Sequence, residues 1–297
     1  MTDAMPDMDW LTRALVHLLD VGPGHAEGHF VGVRKPGGAG RVFGGQVVGQ
    51  ALMAAVKTVA EDRLVHSLHC YFMRPASEDF EIDYQVDADM EGRAFSNRRI
   101  VARQQGKPIF NMVASFQRAE EGPAHQFPMP EVPEPESLLG MRDLLKTFDN
   151  LPAGPALRRI ATQPSPLEFR PIGPIQSGLV DELRDPYALC WVRIGRGPIE
   201  AGQAMQRAML AYASDMLLLA TAYRPHGLQI GGPEVISASI DHSVWFHGDV
   251  EGGEWLLYAM DSPFSGLGRG FSRGHFFAQD GRLIASVAQE GLMRLRE

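Results

Sequence analysis

After Asp9 the apolar residues Trp10, Leu11, Ala14, Leu15, Leu18 and Leu19 recur three or four positions apart, the spacing of one helical face. A short amphipathic helix is predicted there, docked on the domain that follows. A second helix opens at Gly44-Gly45 and runs to about Ala60. Here Val47, Val48, Ala51, Leu52, Met53, Ala54, Ala55 and Val56 cover nearly the whole circumference. A helix that is apolar all round has to be enclosed. The runs His66–Phe72, Phe80–Val86, Phe95–Arg103 and Ile109–Phe116 then read as strands punctuated by Gly, Asp and Pro. One enclosed helix followed by strands predicts a sheet wrapped around that helix.

The pattern then occurs a second time. A strand is predicted at Ala188–Ile194, a largely apolar helix from Ala201 to Tyr223, and strands at Val235–Phe246, Glu254–Asp261, Gly270–Ala278 and Leu283–Leu292. Short identities tie the two halves together. Gly92-Arg93-Ala94-Phe95-Ser96 answers Gly268-Arg269-Gly270-Phe271-Ser272, and His66-Ser67 answers His242-Ser243 at the same offset of 176. After a one-residue deletion, Gly106-Lys107-Pro108-Ile109 answers Gly281-Arg282-Leu283-Ile284. Three matches in the same order point to a duplicated unit. Residues 119–166, which carry nine of the 21 prolines, read as the connection. The expected organisation is an N-terminal repeat over 1–118, a Pro-rich connection over 119–166 and a C-terminal repeat over 167–297.

Composition narrows the function. The 297 residues are 44% apolar, enough for two cores. A net charge of −8 offers no basic face for nucleic acid, although a local arginine cluster could still hold a small polyanion. Cys70 and Cys190 are the only cysteines, so no disulfide framework is implied and a reducing compartment fits. The chain begins with Asp3 and Asp7 rather than basic residues, and no apolar run approaches the ~20 residues of a membrane span. A cytoplasmic protein without a membrane span or nucleic-acid partner is expected.

One acid, Asp215, falls within the enclosed helix of the second repeat, among Tyr212, Ala213, Ser214, Met216 and Leu217. Burying an unpartnered carboxylate is costly, so this acid either has polar partners, has a task, or sits at an exposed helix edge. The first repeat serves as a control, because its helix from Gly44 to Val56 carries no charge at all. Gln289 shares strand parity with Ala285 and Val287 and lands on Ala114 at an offset of 175, so an amide is also unduplicated. It reads either as a holder of water or carboxylate, or as a satisfied core residue.

The segments Arg41-Val42-Phe43-Gly44-Gly45-Gln46-Val47-Val48-Gly49-Gln50-Ala51-Leu52, Leu64-Val65-His66-Ser67, Tyr212-Ala213-Ser214-Asp215, Ile240-Asp241-His242-Ser243-Val244-Trp245-Phe246-His247 and Gln289-Glu290-Gly291-Leu292-Met293-Arg294 resemble the type II acyl-CoA thioesterases. The resemblance spans almost the whole chain. It implies an α+β double hot-dog, two antiparallel sheets each wrapping a central helix, and hydrolysis of acyl-CoA to free acid and CoA. The family's water-positioning Asp, Thr and Gln fall on Asp215, Ser239 and Gln289. Ser239 is a departure, keeping the hydroxyl without the methyl, and strand parity by itself groups it with Asp241 and Ser243 instead. The resemblance also implies a homo-oligomer and neither a cofactor nor a metal.

A thioester carbonyl is electrophilic and a thiolate leaves readily, so a water oriented and deprotonated by a carboxylate suffices without a covalent nucleophile. Arg93, Arg98, Arg99, Arg269 and Arg273 are candidate partners for the CoA phosphates, against the reading of ordinary solvated strand faces. Rival chemistries have weaker support. The Gly-x-Ser-x-Gly spacing of Gly270-Phe271-Ser272-Arg273-Gly274 lies inside a predicted strand, not at the strand-to-helix turn of a nucleophile elbow. Cys70 near His66 and His69 is the only thiol candidate, and His66, His69, Asp241, His242 and His247 lack a metal-site pattern. Gly266-x-Gly268-x-Gly270 precedes a strand rather than a helix, which fits a bend and not a dinucleotide loop. A hot-dog hydratase needs a His five residues from the acid, and position 220 is Ala220. A non-catalytic acyl-CoA-binding double hot-dog is the alternative, motivated by Ser239.

Overall fold

The computed structural model describes residues 8–35, 40–148, 158, 163–177, 185–195, 199 and 201–296. Its α-helices are α1 (Met8–Leu19), α2 (Gly44–Val56), α3 (Met141–Thr147), α4 (Gln203–Ser214) and α5 (Ala220–Tyr223). The enclosed helix α2 is buried from Gly45 to Ala55, as its all-round apolar pattern requires. Its counterpart α4 lies against it in the opposite direction, since Gly45 meets the Tyr212 carbonyl and Gly49 meets that of Ala208. A Cβ on Gly45 would overlap the Tyr212 carbonyl and the Phe43 ring. One on Gly49 would sit 2.8 Å from a Leu19 methyl and 3.3 Å from the Ala208 carbonyl. Glycines four apart therefore let the two backbones approach. Helix α1 packs on α2 and α4 together, not on the first half alone as expected, through the buried face Leu11, Leu15, Leu18 and Leu19.

Around the helices runs one continuous sheet. Its strands are β1 (Val21–Pro23), β2 (His29–Gly32), β3 (Arg63–Phe72), β4 (Ile82–Glu91), β5 (Phe95–Gln104), β6 (Lys107–Arg118), β7 (Leu167–Pro171), β8 (Tyr187–Ile194), β9 (Val235–Ser239), β10 (Asp241–Phe246), β11 (Trp255–Gly266), β12 (Arg269–Ala278) and β13 (Leu283–Leu295). Their order is β1-β2-β4-β5-β6-β3-β10-β13-β12-β11-β8-β7, with β9 on β13. Every pairing is antiparallel. The two sheets expected from the sequence are the halves of this surface, joined where Cys70 of β3 faces His242 of β10. The Gly-rich segment after β11 is a two-residue hairpin turn, with Leu267 and Gly268 left-handed between the paired Gly266 and Arg269.

Two elements depart from their predicted form. The helix expected from Ala201 to Tyr223 stops after Ser214, passes through a turn in which Leu217 has a φ of 69°, and resumes as α5. Competing polar groups explain the stop. The Ser214 hydroxyl donates to the Ala211 carbonyl at 2.9 Å, and the Ser214 carbonyl accepts from the Tyr258 hydroxyl at 2.9 Å instead of continuing the helical ladder. The strand expected from Val235 to Phe246 is also interrupted. Ser239 faces Gly291 while Ser243 faces Ala288, so this side carries one extra residue and a β-bulge lies at Ile240–His242. The inward-facing set changes from Val235, Ser237 and Ser239 to His242, Val244 and Phe246 across it.

The first repeat has its own register break between Val65 and Ser67. Leu68 pairs with Ala114 and its counterpart Val244 pairs with Val287, which makes Phe116, not Ala114, the equivalent of Gln289. The inference that the amide is unduplicated holds with the corrected partner.

The Pro-rich connection, described up to 148 and again from 163, runs across the outer face of the second half. Trp191 donates its indole N–H to the Pro133 carbonyl at 2.9 Å, and Trp255 donates to Glu136 at 3.1 Å. Met129, Val132 and Leu138 pack on the cluster of Trp191, Trp255, Leu257, Ala259 and Phe277. The outer face of the first half instead leaves Tyr71, Phe95 and Val113 exposed.

The close crossing of α2 and α4 gives a stability prediction. Gly45→Ala is expected to lower the unfolding free energy by about 1–3 kcal/mol through overpacking, although alanine is the better helix former. Urea denaturation of the variant checks this, and a gain in stability would mean that the crossing opens freely.

Candidate active site

The end of α4 places Asp215 at the helix C-cap, with αR backbone angles. Three features hold that end in place. His242 Nε2 lies 2.8 Å from the Ser214 hydroxyl, that hydroxyl is bonded to Ala211, and Tyr258 grips the Ser214 carbonyl. Burial drives the His242 imidazole down to about 3, so the ring is neutral. With the Ser214 hydroxyl already donating to a carbonyl, the Nε2 proton is assigned to His242 as donor.

The bulge delivers the second member. Because the strand changes phase at Ile240, the Ser239 side chain turns to the inner face, where its hydroxyl lies 3.5 Å from Asp215 Oδ1. Gln289 on β13, fully buried, donates from Nε2 to Asp215 Oδ1 at 2.6 Å and to the Ser239 hydroxyl at 3.0 Å. All three residues expected from the resemblance are thus in mutual contact. The bulge itself is pinned by Asp241, whose Oδ1 accepts the Glu290 N–H at 2.7 Å, and by the Ile240 N–H donating to the Glu290 carbonyl at 2.9 Å.

The other half of the chain closes the site. The first turn of α2 meets the carboxylate: the Gly45 N–H donates to Asp215, and a Cβ on Gly44 would lie 2.6 Å from Asp215 Oδ2. Phe72, Phe43 and Tyr212 line the approach, with a Phe43–Tyr212 edge contact at 5.1 Å. Asp215 keeps some solvent contact, yet burial pushes its carboxyl up to about 6. The bonds from Gln289, Gly45 and Ser239 pull the other way. Such a group is an effective base near neutral pH, because it is ionised there and still holds a proton well.

The candidate phosphate partners are mostly committed elsewhere. Arg98 is buried and bound to Glu91 at 2.7 Å and to Thr58, Arg99 bridges Asp87 and Asp89, Arg269 pairs with Glu290 at 2.9 Å, and Arg273 pairs with Asp261 at 2.8 Å. Arg269 and Arg273 also alternate with the inward Gly270, Ser272 and Gly274, so they occupy the opposite face of β12 from the site. Arg93 is exposed in the β4–β5 turn. The thiol rival fares poorly. Cys70 is buried, its thiol is pushed well up by burial and by the charges of Asp215 and Asp241, and His69 points to the outer face where it meets Ser243. Among the described residues, no three His, Cys, Asp or Glu side chains group closely enough for a metal ion.

Sequence reasoning missed Gly44, Gly45, His242, Tyr258 and Asp241 as parts of this arrangement. Gly44-Gly45 was visible as a helix start, but its place opposite Asp215 depends on how the repeats dock.

The raised carboxyl has a cost with a definite sign. The folded protein holds this proton to about 6 and the unfolded chain only to about 4, so this contribution to stability declines as pH rises between those values and stays low above them. Asp215→Asn is expected to stabilise the fold at pH 7 by about 2 kcal/mol, allowing for residual solvent contact, and to give no gain below pH 4. Chemical denaturation at both pH values reads this out; equal stabilities at pH 7 would contradict it.

Comparison with known proteins now adds the family. A pattern described as "Acyl-CoA thioesterase" matches residues 186–292, and one described as "Acyl-CoA thioesterase N-terminal domain" matches residues 33–117. The chain is 43% identical to acyl-coenzyme A thioesterase 8 of Homo sapiens over 87% of this chain and 82% of that protein. It superposes on the crystal structure of an acyl-CoA thioesterase II from Mycobacterium marinum with a TM-score of 0.79 and 32% identity, covering 95% of this chain and 99% of the other. A conserved protein with a hot dog fold from Alicyclobacillus acidocaldarius, 19% identical with a TM-score of 0.74, covers 96% of this chain and 99% of its own and supports the double hot-dog architecture. Among the described residues no helix is long and apolar enough to cross a membrane. The chain belongs to the acyl-CoA thioesterase family and is a thioester hydrolase.

Proposed function

We propose that this chain hydrolyses acyl-CoA to a free carboxylic acid and CoA with a water set against Asp215, Ser239 and Gln289. The contact of an unduplicated carboxylate with an unduplicated amide, under the first turn of α2, carries the reading. Asp215 takes the proton of the attacking water. Ser239 and Gln289 fix the carboxylate and the water beside it. The positive end of α2 supports the oxyanion that forms on the thioester oxygen. Collapse of the tetrahedral intermediate expels the thiolate, and the proton held by Asp215 is returned to it. The serine at position 239 retains the hydrogen bond on which its role depends, so the Thr-to-Ser departure is compatible with turnover.

The free thiols Cys70 and Cys190 suit a reducing, cytoplasmic setting. The exposed row of Tyr71, Phe95 and Val113 on the uncovered half of the sheet suits a homo-oligomer formed through that face.

Release of free thiol from acyl-CoAs of graded chain length tests the assignment. Wild type is expected to turn over at least one of them, and Asp215→Asn to lose about 10²–10⁴-fold in kcat while remaining folded. The kcat/KM profile of the wild type is expected to fall on the acidic side with a midpoint near 6, as the base becomes protonated. Binding without turnover at every chain length would favour the non-catalytic reading. Full activity in Asp215→Asn would remove this residue as the base.

A further inference from the structure

The first repeat shows what has been removed from the second to make room for the site. At the position of Ser239 it has Arg63, which reaches across β6 to the hydroxyl of Ser96 and also binds Glu91 at 2.8 Å and the Gly92 carbonyl at 2.8 Å. Ser96 in turn donates to Glu91 at 2.5 Å. Its hydroxyl is therefore fully engaged, and positions 63 and 96 look into one common space.

The equivalent pair in the second repeat is Ser239 and Ser272. With Arg63 replaced by the short Ser239, and Phe116 by Gln289, nothing reaches Ser272 in the same way. Ser272 is fully buried, and its hydroxyl has no hydrogen-bond partner among the described residues. It stands directly opposite Gln289 in the β12–β13 register, on the same inner face. Directly paired strand residues have Cβ atoms about 5 Å apart, so a rotation of either side chain or one bridging water brings the hydroxyl to the amide. Gln289 Oε1 is likewise buried and unpartnered. A donor and an acceptor left unsatisfied on facing residues are each expensive to keep, and substitution by alanine would remove the first at no structural cost.

The flanking residues show that this stretch of β12 is closely fitted. Gly270 and Gly274, on the same face, are glycines because a Cβ would meet Ala222 at 2.6 Å or overlap the Tyr258 ring. Between them a small polar side chain is retained.

We infer that Ser272 is a positioning residue of the hydrolytic site, whose hydroxyl engages Gln289 Oε1 by a side-chain rotation or through one bridging water and so keeps the amide turned with Nε2 toward Asp215 and Ser239. The inference rests on the proposed use of Gln289. It gives Gln289 a fixed orientation from both sides, with the carboxylate and Ser239 hydroxyl on the nitrogen and Ser272 on the oxygen. No proton is transferred through Ser272.

Two substitutions test it. Ser272→Ala removes the hydroxyl, and Ser272→Cys keeps its bulk with only a weak donor. Both are expected to lower kcat about tenfold with KM little changed, the effect of one buried hydrogen bond that matters to the reacting geometry. Both should also shift the acidic midpoint of kcat/KM and the ionisation of Asp215, followed directly by carboxyl NMR, to higher pH, because a loosened amide holds the carboxylate less well. The other titratable groups around that carboxyl, Cys70, Tyr258, His242 and Asp241, are untouched by these changes. Ser96→Ala is the control, expected to lower the melting temperature without altering kcat.

Rates within twofold of wild type in both variants, or an unmoved Asp215 titration, would overturn the inference. If wild type hydrolyses no acyl-CoA, the functional reading fails on its own, and the NMR titration still decides whether Ser272 holds the amide.

Discussion

The antiparallel contact of α2 with α4 is the constraint from which the rest follows. Gly45 and Gly49 allow the helices to touch backbone to backbone, and the direction of the crossing sets the start of α2 against the end of α4. A carboxylate at the C-cap of its own helix sits at an unfavourable end of the peptide dipoles, and here the first turn of the neighbouring helix compensates. That pairing lets Asp215 be partly dehydrated and still ionise near neutrality. Moving the crossing by one residue would separate the N–H of Gly45 from the carboxylate and leave the acid to its own helix.

The fold was legible to the extent that local patterning determines it. Residues apolar all round a helix can only be enclosed, and β3 to β6 and β10 to β13 each overlap a predicted run, with β4 and β11 extending five residues beyond theirs. The unforeseen strands β1, β2 and β7 are three to five residues long, too short for alternation to register. The continuity of the sheet across β3 and β10 is a property of docking, which periodicity within one strand cannot express.

The site was half legible from residue chemistry. Asp215 stood out as a charge in an enclosed helix whose counterpart in the first repeat carries none, and Gln289 as an amide answered there by an apolar residue. Ser239 came from family resemblance alone, and alternation argued against it. The bulge at Ile240–His242 explains why: one inserted residue changes which side chains face inward, and Asp241 holds that irregularity by bonding the backbone of Glu290. The break in the long helix was hidden for a similar reason. It depends on Tyr258 and His242, which come from strands far along the chain.

The single sheet has an evolutionary corollary. Two hot-dog units that meet edge to edge along β3 and β10, with the acid in one and its amide donor Gly45 in the other, form what separate subunits would otherwise have to assemble. Fusion ends the requirement for identity between them. One unit was then free to close the equivalent position with the Arg63–Glu91–Arg98 ion network and become a buttress, while the other specialised. Neither would be self-sufficient if the chain were cut between them.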